Sequence, residues 1–200
     1  FTAKKLRAAG YTASEATDAG WSVDVLKDAG YTAFDLRAAN QSVDELRAVG
    51  FELNELKMAG FSAQELQQAG YGAEELRAAG TSLADLTSAG ASVSDLKAAG
   101  ISAIGLRAEG VSLDDMKAAG YSVKELKVAG FSPIEMHASR FKAHELVAVG
   151  YVARELREGG YVAADELADT GLSVRDLKEG GFNVRELKKG GFSAVDMAGG

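Results

Sequence analysis

The feature that most constrains this chain is a glycine that returns every ten residues with an aromatic residue behind it. Blocks starting at Phe1, Tyr11, Trp21 and onward read aromatic, Ser/Thr, small apolar, variable, Asp/Glu, Leu, Lys/Arg, variable, Ala, Gly; these positions are slots one to ten below. A short fixed period along a whole chain marks a repeat architecture, in which each element buries its apolar side only against its neighbours. Sixteen repeats of ten fill residues 1–160, and three more fill 172–200, the last one residue short. Between them, 161–171 carries one extra residue, placed beside Asp165 or Glu166. The reading is a single continuous array over residues 1–200.

The slots differ sharply in what they tolerate. Slot six is Leu in 16 of 20 repeats and Met at Met116, Met136 and Met197, so it reads as core, with Ala16 the one departure. Slot one is aromatic in 14 of 20 and holds every Tyr, the single Trp and all Phe but Phe34, which chance does not arrange. Slots two and five form S/T-x-x-E/D, the pattern of a helix capping box; Ser62 with Glu65 and Ser122 with Glu125 are full examples. The shorter Asp versions, such as Ser92 with Asp95, are expected to be weaker. With slot two as N-cap, the aromatic at slot one and Leu at slot six sit at the two positions of a hydrophobic staple. Gly at slot ten is then the residue just past the helix end, where left-handed geometry is needed. Pro133, the only proline, falls at the first helical position, where proline is favoured. Asn40 replaces one slot-ten Gly, and Asn is the next choice there.

These signals predict one helix per repeat over slots three to nine, with every Gly read as a helix terminator. At 100° per residue, slots three, six and nine share one apolar sector and slots four, five and eight lie opposite. A two-turn helix does not persist alone in water, so stability must come from stacking. The expected fold is all-α: an α-solenoid or superhelix of about twenty two-turn helices, with two or three helices per layer. At the level of architecture this resembles α-solenoid repeat proteins of the armadillo, HEAT and tetratricopeptide kind, although its period is far shorter than theirs. The resemblance implies scaffolding or partner binding.

Two stretches break the pattern. Thr81, Ala91, Ile101 and Val111 replace four consecutive slot-one aromatics, and Ile104 with Gly105 breaks slots four and five. Between 131 and 171, Arg140 replaces Gly, and Lys142, Val152 and Val162 replace caps, which predicts a softer region. Ile101, Ile104, Val111, Arg140, Lys142 and His144 are therefore the candidate partner-contact positions. His137 and His144 occupy slots seven and four, both expected to be solvated, with Glu135 and Glu145 too few to complete a metal site.

Composition narrows the function classes. Formal charge is −7 with a pI near 5.0, which argues against a nucleic-acid binder, since that needs a basic surface. There is no Cys, which excludes disulfides and thiol chemistry. No apolar run approaches the ~20 residues that span a bilayer, and no signal-like stretch follows Phe1. The non-repeating polar residues are few and outward-facing, so no catalytic set, cofactor site or metal site is expected. The expectation is a non-enzymatic scaffold module that binds a protein partner or itself through variable slots four, seven and eight. The first helix, Thr2–Ala9, has no polar capping repeat, which points to a longer natural chain or to self-association. The alternative is an extracellular or surface adhesion module binding glycans or Ca²⁺, with the slot-five carboxylates as a charged track for a basic partner or Ca²⁺.

Overall fold

The computed structural model describes residues 1–163, 166–167 and 169–199. Among these residues there are 19 helices and no strand. Helices α1 to α16 are Ala3–Ala8, Ala13–Asp18, Val23–Asp28, Ala33–Ala38, Val43–Ala48, Leu53–Met58, Ala63–Gln68, Ala73–Ala78, Leu83–Ser88, Val93–Ala98, Ala103–Ala108, Leu113–Ala118, Val123–Val128, Pro133–Ala138, Ala143–Ala148 and Ala153–Glu158. Helices α17 to α19 are Val174–Glu179, Val184–Lys189 and Ala194–Gly199. Each helix spans slots three to eight, one residue less than the pattern suggested, because slot nine serves as the C-cap.

The local signals act as read. In the repeat 61–70 the Ser62 hydroxyl accepts from the Glu65 amide, and the Glu65 carboxylate accepts from the Ser62 amide at 2.6 Å. Asp also closes the box at Thr32–Asp35 and Ser173–Asp176, whereas at Ser82, Ser92 and Ser112 the Asp bonds only the hydroxyl. The Asp versions are therefore mixed rather than uniformly weaker. At the other helix end, Gly10 N–H donates to Arg7 O and Tyr11 N–H to Leu6 O, at 3.0 and 3.1 Å, which is a Schellman motif. All 17 glycines at slot ten have positive φ, as do Asn40 at 58° and Arg140 at 56°.

Not every Gly is a terminator. Gly72 is an N-cap, Gly105 lies inside α11, and Gly159, Gly180 and Gly190 are C-caps of right-handed or near-right-handed geometry. Packing explains Gly159: a Cβ there would lie 2.6 Å from Pro133 Cβ and 3.0 Å from Pro133 C. The absence of a side chain lets the end of α16 rest on the start of α14.

The chain divides into two compact bodies, Phe1–Gly100 and Ile101–Gly200. In the first, α1 packs on α3, α2 on α4, α4 on α6, α7 on α9 and α8 on α10. In the second, α11 packs on α13, α14 on α16, and α16 on α17, which lies two repeats further on. Helices thus stack on their next-but-one neighbours, which makes two stacks within each body. Slot six forms the centre: Leu26, Leu56, Leu106, Met116 and Leu156 are fully buried. The slot-one aromatics from Tyr31 to Phe182 are buried, while Phe1 and Tyr11 are exposed.

In the irregular repeat, Glu166 and Leu167 N–H both donate to Ala163 O, and the Glu166 carboxylate accepts from Ala163 N–H. Ala163 therefore holds the cap position, one residue later than the regular register. Asp165, the other residue of that expectation, lies outside the described residues.

Candidate functional site

What a repeat protein offers a partner is whatever its fold does not consume, so the side chains used in stacking must be identified first. Slot seven proves to be among them. Arg37 Nη1 donates to Ala59 O at 2.9 Å, 22 residues on, with its guanidinium 4.9 Å from the Phe61 ring centroid. Arg107 repeats this on Ala129 O at 2.9 Å and Phe131 at 4.3 Å. Lys27, Lys117 and Lys127 do the same on Val49, Ser139 and Val149 with Phe51, Phe141 and Tyr151. Lys57 and Arg77 bond Ala79 O and Ala99 O. The cation meets the carbonyl end of the helix two repeats on, where the helix dipole favours positive charge. It also covers the negative ring face that opens the following repeat. Several reach that repeat's capping carboxylate too: Arg107 lies 3.4 Å from Glu135 and Arg157 3.7 Å from Glu186. Slot seven is thus a clasp between stacked helices, not the partner-facing position the pattern suggested.

Most exceptions obey the same geometry. At four positions where slot seven loses its cation, Thr17, Gln67, Thr87 and Val147, the slot-one residue three repeats on is Gln41, Ala91, Val111 or Leu172, none of them aromatic; Ala168, with Phe192 three repeats on, departs from this. Thr17 turns back on Ala13 O instead, and the Gln41 amide caps Ala39 O at 3.1 Å in the place of the missing cation. The lost aromatics at Ala91 and Val111 thus coincide with lost cations, and this joint variation within the chain is a signal that reading each slot alone misses.

His137 stands in slot seven and behaves accordingly. It is half-buried, with Nε2 2.9 Å from Glu166 Oε1 and its ring 4.4 Å from that of Tyr161. The expectation of a solvated His137 is therefore corrected, because slot seven is an inward position. Tyr161 is fully buried and bonds Phe141 O at 2.9 Å; burial pushes its hydroxyl well above the ordinary tyrosine range.

The slot-five carboxylates are also engaged. The Ser62 amide and hydroxyl hold Glu65 below the usual carboxylate range, and the same caps lower Glu15, Glu45 and Glu135. Where the cap side chain is lost, the carboxylate still takes the amide: Lys142 N–H to Glu145 at 2.7 Å and Val152 N–H to Glu155 at 2.8 Å. Among the described residues, no group of three or more His, Asp or Glu is arranged to hold a metal ion. No described helix is long and apolar enough to cross a membrane.

Slots four and eight remain, one helical turn apart on the same face. They are exposed in every described repeat except at Gly199, whose side is not described. Half of the large apolar side chains left exposed lie there: Phe34, Met58, Ile104, Val128, Ile134 and Val195. Of the candidate positions, Ile104 and His144 are on this surface. Ile101 and Val111 sit half-buried at slot one, and Ile101 O accepts from Tyr121 Oη at 2.7 Å. Arg140, Lys142 and His144 come together: with His137, Phe141, Glu166 and Asp169 they line a cleft of about 440 Å³. The structure therefore joins three of the six and leaves Ile101 and Val111 in the joints.

The same ten-slot unit is found by comparison. The model of a Decapeptide repeat region matches residues 1–73, 41–113, 60–133, 110–169 and 140–200. The chain belongs to the Decapeptide repeat region family. No curated protein and no solved structure matches it. In this decapeptide array slots one, two, five, six, seven and ten carry the fold, and slots four and eight carry the variation.

Proposed function

We propose that this decapeptide array is a non-enzymatic interaction module that meets other proteins, or its own copies, through slots four and eight. The observation that carries this reading is the division of labour among slots. Cap, staple, clasp and terminator residues are spent on the fold, while slots four and eight stay exposed and range from Asp24 and Glu74 through Phe34 and Met58 to Arg154 and Arg175. Change at these slots leaves the stacking contacts intact, which is what a surface free to be selected for partners requires. A repeat array supplies extended area rather than a pocket, in keeping with binding rather than turnover.

The test is wholesale replacement of slots four and eight in residues 1–100 by alternating Glu and Lys, read by far-UV circular dichroism and thermal midpoint. The module reading expects the helical signal to persist and the midpoint to shift by only a few degrees. Loss of the fold overturns it, because those slots would then be structural. A thermal-shift scan with Ca²⁺ and with sugars is expected to be flat, since the slot-five carboxylates are occupied by caps.

A further inference from the structure

Helices α1 and α2 leave open a surface that is covered on the helices after them. Leu6 is half-buried and Ala9, Tyr11 and Ala19 are exposed, whereas their equivalents two repeats on, Leu26, Ala29, Tyr31 and Ala39, are all buried. With Glu15 and Asp18, these residues line an apolar cleft of about 740 Å³. Helices α18 and α19 leave open the opposite surface. The first residue of every helix from α1 to α17 is buried or half-buried, but Val184 of α18 and Ala194 of α19 are exposed. Lys188, in slot seven of α18, is exposed as well, and residues 1–200 hold no repeat two beyond it.

Within each compact body, surfaces of these two kinds meet by three recurring contacts. Slot nine of one repeat rests on slot three two repeats earlier, as Gly159 does on Pro133 and Gly180 on Ala153. A slot-one tyrosine hydroxyl donates to the slot-one carbonyl two repeats earlier: Tyr31 to Tyr11 O at 2.8 Å and Tyr151 to Phe131 O at 3.0 Å. A slot-seven cation reaches the slot-nine carbonyl two repeats on, then the ring and the capping carboxylate that follow, as Arg107 does on Ala129, Phe131 and Glu135.

We infer that the α1–α2 surface of one copy stacks on the α18–α19 surface of a second copy, α1 on α18 and α2 on α19, in the register that the helices keep inside the chain. The three contacts then fix every pairing. Ala9 rests on Val184 and Ala19 on Ala194, small residues in slot nine as that seat requires. Tyr11 Oη donates to Phe192 O. Lys188 meets Ala9 O, the Tyr11 ring and the Glu15 carboxylate, with Asp18 beside it as a second opposite charge. The two surfaces differ and each copy carries one of each, so the contact is heterologous and joins copies head to tail. Two helices about 9 Å long and about 10 Å apart bury on the order of 500 Å² in total against two others. That is below the range of permanent interfaces, so the association is reversible. It uses slots one, three, seven and nine, and so goes beyond the reading built on slots four and eight.

The chain has no Cys, so single cysteines report the register directly. An Ala9→Cys copy mixed with a Val184→Cys copy under mild oxidation is expected to give a disulfide-linked heterodimer, as is Ala19→Cys with Ala194→Cys. Ala9→Cys with Ala194→Cys is expected to link at least five-fold less, because those positions fall in neighbouring stacks beyond disulfide reach. Light scattering of the unmodified chain from micromolar to millimolar concentration is expected to show rising mass. Lys188→Glu, which sets like charge against Glu15 and Asp18, is expected to weaken this at least three-fold, and Phe34→Glu with Met58→Lys to leave it unchanged. A constant monomer mass overturns the stacking, as does cross-linking that ignores register, or association that survives Lys188→Glu but is lost with Phe34→Glu and Met58→Lys. Efficient disulfide formation in a single copy carrying both Ala9→Cys and Val184→Cys at high dilution also overturns it, since the two surfaces would then meet within one molecule. These readouts are independent of the circular dichroism test above: a constant monomer mass removes the head-to-tail contact alone, and loss of the fold on replacing slots four and eight removes the module reading alone.

Discussion

Removing one clasp tests the stacking account at its most specific point. Arg107 is 35% exposed, bonds Ala129 O at 2.9 Å, lies 4.3 Å from the Phe131 centroid and reaches Glu135 at 3.4 Å. Arg107→Met keeps most of the stem and removes the charge. A hydrogen bond from a charged donor contributes about 1.5–3 kcal/mol. The ring contact adds about 0.5–1 kcal/mol where solvent reaches it, and a half-exposed ion pair adds little after screening, about 0–1 kcal/mol. These parts share one side chain and do not add in full, so the expected loss is about 2 kcal/mol. Phe131→Leu keeps an apolar plug in a buried site and removes the ring face. In a double-mutant cycle by urea denaturation, Arg107 and Phe131 should couple by about 0.5–1 kcal/mol. Hydrogen exchange at the end of α13 should quicken in Arg107→Met before it does elsewhere. Zero coupling, with α13 protection unchanged, would refute the clasp. In 1 M salt the Glu135 part should vanish while the carbonyl bond persists, because screening acts mainly on exposed pairs.

Other outcomes follow from the same geometry. Val147 and Leu172 form a position where cation and ring are both absent, so Val147→Arg with Leu172→Phe should stabilise by more than the sum of the two singles, read as urea midpoints. Gly159→Ala should cost about 2–3 kcal/mol because its Cβ meets Pro133. Gly110→Ala, which has open space and φ 77°, should cost only the left-handed strain of about 1–2 kcal/mol; equal losses would contradict the close approach of α16 to α14. Glu15, Glu45, Glu65 and Glu135 have lowered carboxyl values in the fold, so their stabilisation is full above the ordinary carboxylate range near pH ~4.3 and is lost as pH falls through the lowered folded values. The thermal midpoint should drop between pH 5 and 3, and Glu65→Gln should lower it at pH 7 and flatten that drop.

The sequence by itself determined everything that lies within one repeat. Ser62 finds Glu65, Gly10 ends α1, and Pro133 opens α14 because each pairing spans at most a few residues and has one favourable geometry. Asn40 was legible as a left-handed position for the same reason, since a helix that stops must turn there whatever surrounds it; that Arg140 takes the same geometry, with φ 56°, came from the structure. The number of helices per layer, the clasp and the tight seat of Gly159 on Pro133 were decided only by the tertiary structure. They join residues two or three repeats apart, and a strict period makes every repeat look like an equal neighbour until stacking chooses one. His137 shows the consequence: taken alone, slot seven is a charged and outward position on its helix, and only the helix stacked beyond it turns that side chain inward onto Glu166 and Tyr161. The joint loss of cation and ring at Thr17 with Gln41 and at Val147 with Leu172 had written that stacking into the chain, but its distance could be recognised only once the helices were in place.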